Sequence, residues 1–141
     1  MEIYCCGCLD TVDAVRVTGK DVYPHITDLK NVPFWKCLTC LNFVGMHYKS
    51  NRGNRTEPLG TIPTKEIKSK RSYLHSRIDP IWNNKLMKRN EVYAYCSEYF
   101  GKEFHIGHLS TDEEFKLAYM IVDKLCKHAT DLKVKQILGN L

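Results

Sequence analysis

An α+β fold is predicted for this chain by three observations. Four cysteines stand in two pairs in the first third, β-prone residues lie between the pairs, and three helical segments follow residue 62. The pairs are Cys5-Cys6-Gly7-Cys8 and Cys37-Leu38-Thr39-Cys40, separated by a 28-residue excursion. C-x-x-C spacing turns two thiolates toward one tetrahedral ion, and paired repeats of it point to zinc, which is redox-inert and accepts an all-sulfur shell. The expected architecture is an N-terminal four-cysteine zinc ribbon of short β-hairpins packed on about three C-terminal helices. One structural Zn2+ would be held by Cys5, Cys8, Cys37 and Cys40. Cys6 stays an alternative to Cys5, although only Cys5 has the C-x-x-C spacing to Cys8. Two disulfides would also use four cysteines, but seven cysteines with two adjacent suit that poorly, and no βαβ pattern supports a thioredoxin-like redox pair.

Composition excludes several classes. With 43% hydrophobic and 26% charged residues the chain is ordinary globular protein, in one domain or in a metal-stapled lobe fused to a helical one. No apolar run approaches the ~20 residues of a membrane span, and no signal-like segment precedes the first cysteines. A soluble, cytoplasmic protein with free thiols is expected, with no membrane partner. Charge is uneven along the chain. Residues 1–47 carry a net −1 and residues 90–141 a net −2, whereas residues 48–89 hold 11 Lys/Arg against 3 Asp/Glu, a net +8. Such concentration suggests a polyanionic partner, although a solvated lysine-rich helix face would look the same.

Taken in order, Ala14 to Thr18 reads as a short strand and Gly19-Lys20-Asp21 as a turn. Asp21 to Pro24 then starts a return strand. Phe34 to Lys36 and Leu41 to Val44 flank the second cysteine pair as a hairpin, completing a three-stranded ribbon over 1–47. Residues 48–62 form a basic loop and the turn Pro58-Leu59-Gly60-Thr61. Pro63 opens a helix that runs to about Ile78 and is broken at Asp79-Pro80. Arg89 to Phe100 is a second helix stopped by Gly101, with Cys96 as a packed core thiol. Thr111-Asp112-Glu113-Glu114 has capping-box spacing and opens a third, long helix carrying Phe115, Ala118, Tyr119, Val122 and Leu125 on one face. The helical part, 63–141, is expected to form one compact unit with the ribbon.

The order of these features resembles a bacterial and phage family described only as a zinc-finger-containing domain of unknown function. The residues that carry the likeness begin with Tyr4-Cys5, Cys8, Cys37-x-x-Cys40 and Phe43-Val44-Gly45-Met46-His47. Pro58-Leu59-Gly60-Thr61 follows, then Arg71, His75, Asp79-Pro80 and Trp82, and finally Arg89, Tyr93 and His105-Ile106-Gly107. It spans roughly residues 4–125 and departs from the pattern at Cys6 and Met46. The resemblance implies a fold, a zinc ion and a bacterial or phage setting, but no activity.

Three functions compete. Nucleic-acid binding, DNA or RNA, ranks first, through Lys49, Arg52 and Arg55 with Lys65, Lys68 and Arg71, and with Tyr48 and Trp35 available to stack on bases. A protein-binding module, an inhibitor or adaptor of a host protein complex, ranks second. A metal-dependent nuclease ranks third. For that class His47, His75, Asp79 and His105 are the polar residues to consider. His75 and Asp79, four apart on a helix, can equally form a simple structural pair. No catalytic residue is assigned.

Overall fold

The computed structural model describes residues 1–140. Its contacts divide the chain into two compact units, Met1–Lys68 and Ser69 onward. Among the described residues no helix is long and apolar enough to cross a membrane.

The first unit is built from very short strands. Strands β1 (Glu2–Cys5) and β2 (Asp10–Asp13) form an antiparallel hairpin, with Ile3 opposite Val12. The alternation of β1 turns Ile3 and Cys5 inward and leaves Glu2 and Tyr4 outside. Strands β3 (Val15–Thr18), β4 (Pro33–Lys36) and β5 (Phe43–Gly45) make a three-stranded antiparallel sheet with β4 in the centre. The three-stranded ribbon expected from the sequence is therefore present, and a separate two-stranded hairpin carries the first cysteine pair. Ile3, Cys5, Ala14, Cys37, Val44 and Ile62 form the buried cluster, with Val12 and Trp35 packed against it.

The return strand expected over Asp21–Pro24 is replaced by a single helical turn, α1 (Gly19–Val22), followed by a 3-10 turn at Thr27–Leu29. Gly19 explains the difference. A Cβ there would lie 1.8 Å from the Leu29 carbonyl oxygen, and the Gly19 amide donates to the Val32 carbonyl at 2.9 Å. The chain folds back on itself before a strand can extend. Beyond the loop, residues 57–62 return to both sheets. The Ile62 amide donates to the Tyr4 carbonyl (2.9 Å) and the Cys6 amide to the Ile62 carbonyl (2.8 Å). The Leu59 amide reaches the Gly45 carbonyl on β5, also at 2.9 Å.

The second unit holds most of helix α2 (Lys65–Asn83), helix α3 (Arg89–Phe100), a 3-10 turn at Ile106–His108 and helix α4 (Asp112–Gly139). α3 has the bounds the sequence predicts, because Gly101 takes the left-handed conformation (φ 84°) that closes a helix. The capping box also forms: the Thr111 hydroxyl oxygen accepts from the Glu114 amide at 3.1 Å, and the Glu114 carboxylate accepts from the Thr111 amide at 3.1 Å. Two expectations change. α2 does not stop at Asp79-Pro80 but carries Pro80 inside it for a further turn. An internal proline costs about 3 kcal/mol. Ile78 and Ile81 are buried on either side of it, each worth about 1.5–3 kcal/mol when removed from water, which is enough to hold that turn. Lys85, at φ 59°, ends the segment instead.

Arg71 is the second change. Placed by sequence among phosphate-binding cations, it is only 8% exposed. Its Nε and Nη2 donate to the Leu109 carbonyl at 3.1 and 3.0 Å, tying α2 to the segment before α4. Arg71→Ala leaves that carbonyl without these donors and is expected to destabilise the protein by about 1–3 kcal/mol. Urea unfolding followed by circular dichroism measures the loss.

Candidate metal centre

Each cysteine pair sits at the end of a strand. β1 ends at Cys5, and the chain turns through Cys6, Gly7 and Cys8. β4 ends at Lys36, and the chain turns through Cys37 to Cys40. Both turns finish the same way. Leu9 (φ 55°) and Leu41 (φ 68°) are left-handed although neither is glycine, and both are exposed, at 77% and 60%. That conformation costs an L-residue roughly 1–2 kcal/mol, so something must hold both turns closed. In the second turn the Leu41 amide donates to the Cys37 carbonyl (2.8 Å) and the Cys37 amide to the Asn42 carbonyl (2.9 Å). The turns share the pattern Cys-x-x-Cys-Leu followed by Asp10 or Asn42, an internal repeat readable in the sequence and missed as a signal of the two left-handed leucines.

The two turns interleave their sulfurs. Cys5 Sγ lies 3.3 Å from Cys40 Sγ, Cys8 Sγ lies 3.7 Å from Cys37 Sγ, and all four are within 4.8 Å of one another. These separations exceed the ~2.05 Å of a disulfide. A tetrahedron with zinc–sulfur bonds of about 2.3 Å has edges of about 3.8 Å, close to both contacts. Gly7 makes the approach possible, since a Cβ there would stand 3.3 Å from Cys40 Sγ and 2.8 Å from Asn42 Nδ2. Cys6 points elsewhere. Its Sγ meets Thr61 Oγ1 at 3.6 Å, and Cys5 is the member of the four-sulfur group.

Electrostatics favours a cation here. Burial works to raise the Cys37 thiol, but amide N–H groups of Cys40 and Thr39 outweigh it and bring Cys37 down to about 7. Cys8 is pushed up to about 12, chiefly by its hydrogen bond to Cys37. Burial likewise raises Cys5, against N–H groups of Cys8 and Gly7. Four thiols at this distance cannot all ionise unless a dication compensates them. The residues fit one structural zinc ion, which supplies that charge, and four sulfur ligands leave no open coordination position for catalysis.

The other sequence candidates are dispersed. His75 Nδ1 lies 3.5 Å from Asp79 Oδ1, one turn apart on α2 and about half-exposed. His105 packs its ring near His108, with centroids 4.4 Å apart. His47 is exposed beyond β5. Among the described residues the four cysteines are the only group of three or more potential ligands placed to share an ion.

This is the architecture of a zinc-finger protein whose metal is structural. Residues 2–124 match the model of the zinc-finger-containing domain family, and the chain belongs to that family. Comparison with curated proteins found no match, and neither did comparison with solved structures.

Metal analysis of purified protein should return one zinc per chain, and Cys37→Ser should lose it together with the ribbon structure, since metal binding here is also folding energy. Cys96→Ser and Cys126→Ser should retain full zinc. Protons compete for the thiolates, so zinc should be released as pH falls. A zinc content that stays whole in Cys37→Ser would refute the assignment.

Proposed function

We propose that this protein binds nucleic acid through the exposed loop over residues 48–57, with the zinc ribbon serving as its rigid mount. The observation that supports it is how the cations of the positive middle third are used. Lys70 pairs with Asp112 (3.5 Å) and Arg77 with Asp123 (3.2 Å). Arg71 is buried, and Arg89 lies over the rings of Trp82 and Tyr93. Lys68 hydrogen-bonds to the Tyr23 hydroxyl and sits over the Tyr23 and Phe43 rings, 4.8 and 4.4 Å from their centroids. Lys49, Arg52 and Arg55 stay on the surface. Ser50 ties two of them: its hydroxyl accepts from the Arg52 amide at 3.2 Å, and its carbonyl accepts from Arg55 Nε at 3.2 Å.

Both ends of the loop are tied to the ribbon. The His47 amide donates to the Glu57 carbonyl (2.9 Å), and the Trp35 indole N–H donates to the Thr56 carbonyl (2.7 Å). Trp35 is thereby an anchor for the loop, and Tyr48, with Lys49 Nζ 5.6 Å from its centroid, is the aromatic group left to stack on a base. Lys65, exposed at the start of α2, would add a further phosphate contact. Contacts of this kind give affinity without sequence choice. The reading places the protein in the reducing cytoplasm of a bacterial or phage-infected cell, a setting its free cysteines suit.

Binding to a fluorescent single-stranded oligonucleotide should weaken steeply with added salt. Replacing Lys49, Arg52 and Arg55 by alanine should weaken it further and reduce the salt slope by about 2–3. No binding to any DNA or RNA, with a salt-sensitive complex to an acidic protein, would overturn this reading in favour of a protein-docking module.

A further inference from the structure

Helix α4 continues well past the last residue it buries. Its last buried residue is Ala129, yet it continues to Gly139, roughly three turns more. A helical extension of that length has little stability in water unless an apolar face is covered. The extension has such a face: Val134, Ile137 and Leu138 are 48%, 56% and 61% exposed. It also continues a stripe that starts earlier on α4, where Met120 is 70% exposed. Met120, Lys124, Lys127, Asp131, Val134 and Leu138 follow one another at intervals of four and three, the seam of a two-helix pairing, and all six are exposed.

The charges on that seam select the occupant. We propose that α4 pairs antiparallel with α4 of a second copy of this chain. In one register the seam complements itself. Met120 of each copy meets Leu138 of the other, Lys124 lies along Val134, and Lys127 faces Asp131, each contact occurring twice about a two-fold axis near residue 129. This is the isologous arrangement of a cyclic dimer. Lys124 suits its place, because its ammonium already lies 4.8 Å from the Tyr99 ring and its alkyl stem is left to cover Val134. A parallel pair is disfavoured: it would stack Lys124 on Lys124, Lys127 on Lys127 and Asp131 on Asp131. A second copy satisfies both the apolar ends and the charged centre of the stripe, whereas a partner with an apolar groove would bury Lys127 and Asp131, four apart on one helix, with only each other to pair with.

Sedimentation of the zinc-loaded chain over a hundredfold concentration range tests this. The wild type should pass from monomer to dimer. Leu138→Asp, at an exposed position that costs the monomer little, should remain monomeric. Lys127→Glu or Asp131→Lys alone should weaken association at least about tenfold. The double variant Lys127→Glu/Asp131→Lys should restore it, which only the antiparallel register allows. A wild type that is monomeric throughout would overturn the proposal and leave the stripe to a different protein. A dimer indifferent to Leu138→Asp and to the single charge reversals would overturn it as well, by placing the interface elsewhere.

Discussion

Four sulfurs brought within 4.8 Å are the constraint on which the first unit depends. Its strands are three or four residues long, shorter than an isolated hairpin needs for stability in water. Its buried cluster is small, and two of the six residues in it, Cys5 and Cys37, are themselves metal ligands. Removing the ion would therefore leave mutually repelling thiolates in the middle of the core, or buried thiols with nothing to bind. Zinc binding at about 10–16 kcal/mol is of the size needed to offset two left-handed leucines and the ordering of long connections. The same ion fixes the loop, because β4 and β5 flank the second cysteine turn and the loop's ends hang from Trp35 and His47.

The helical unit is held differently. Leu74, Ile78, Val92, Cys96, Phe104, Phe115, Val122 and Leu125 supply its apolar core. Two of the polar groups beside it serve the backbone. Arg71 satisfies the Leu109 carbonyl, and Glu114 collects the Ser110 and Thr111 amides at the start of α4. Burial acts to raise the Glu114 carboxyl, but the amides at Thr111 and Ser110 prevail and hold it below the usual carboxylate range. That contribution is complete above the ordinary carboxylate pKa and is lost as pH falls through the lowered value.

The legible parts of this protein are those set by neighbours in sequence. Cysteine spacing, the glycine that stops α3 and the capping box of α4 each act over three or four residues, so a single chain displays them. What stayed hidden was decided by contacts across the chain. Gly19 looked like an ordinary turn glycine, and only the Leu29 carbonyl pressing on it shows why α1 replaces a strand. Pro80 looked like a helix stop, and only the burial of Ile78 and Ile81 shows why the helix goes on. Arg71 and Trp35 looked like ligand-facing groups until their partners, Leu109 and Thr56, were brought to them.

The same distinction governs the positive charge. A net +8 over residues 48–89 suggests one continuous surface for a polyanion. Folding instead divides the cations by what lies within reach. Several of those on helices meet carboxylates or rings, as Lys70 meets Asp112 and Arg89 meets Trp82 and Tyr93. Those on the loop are exposed, and two of them are tied locally through Ser50. An exposed ion pair contributes at most about 1 kcal/mol to stability, so a cation held in one is only modestly withdrawn from other partners. A cation over two rings, like Lys68, or buried on a carbonyl, like Arg71, is withdrawn far more. Charge density in sequence therefore overstates what is available, and the loop is where that density and availability coincide.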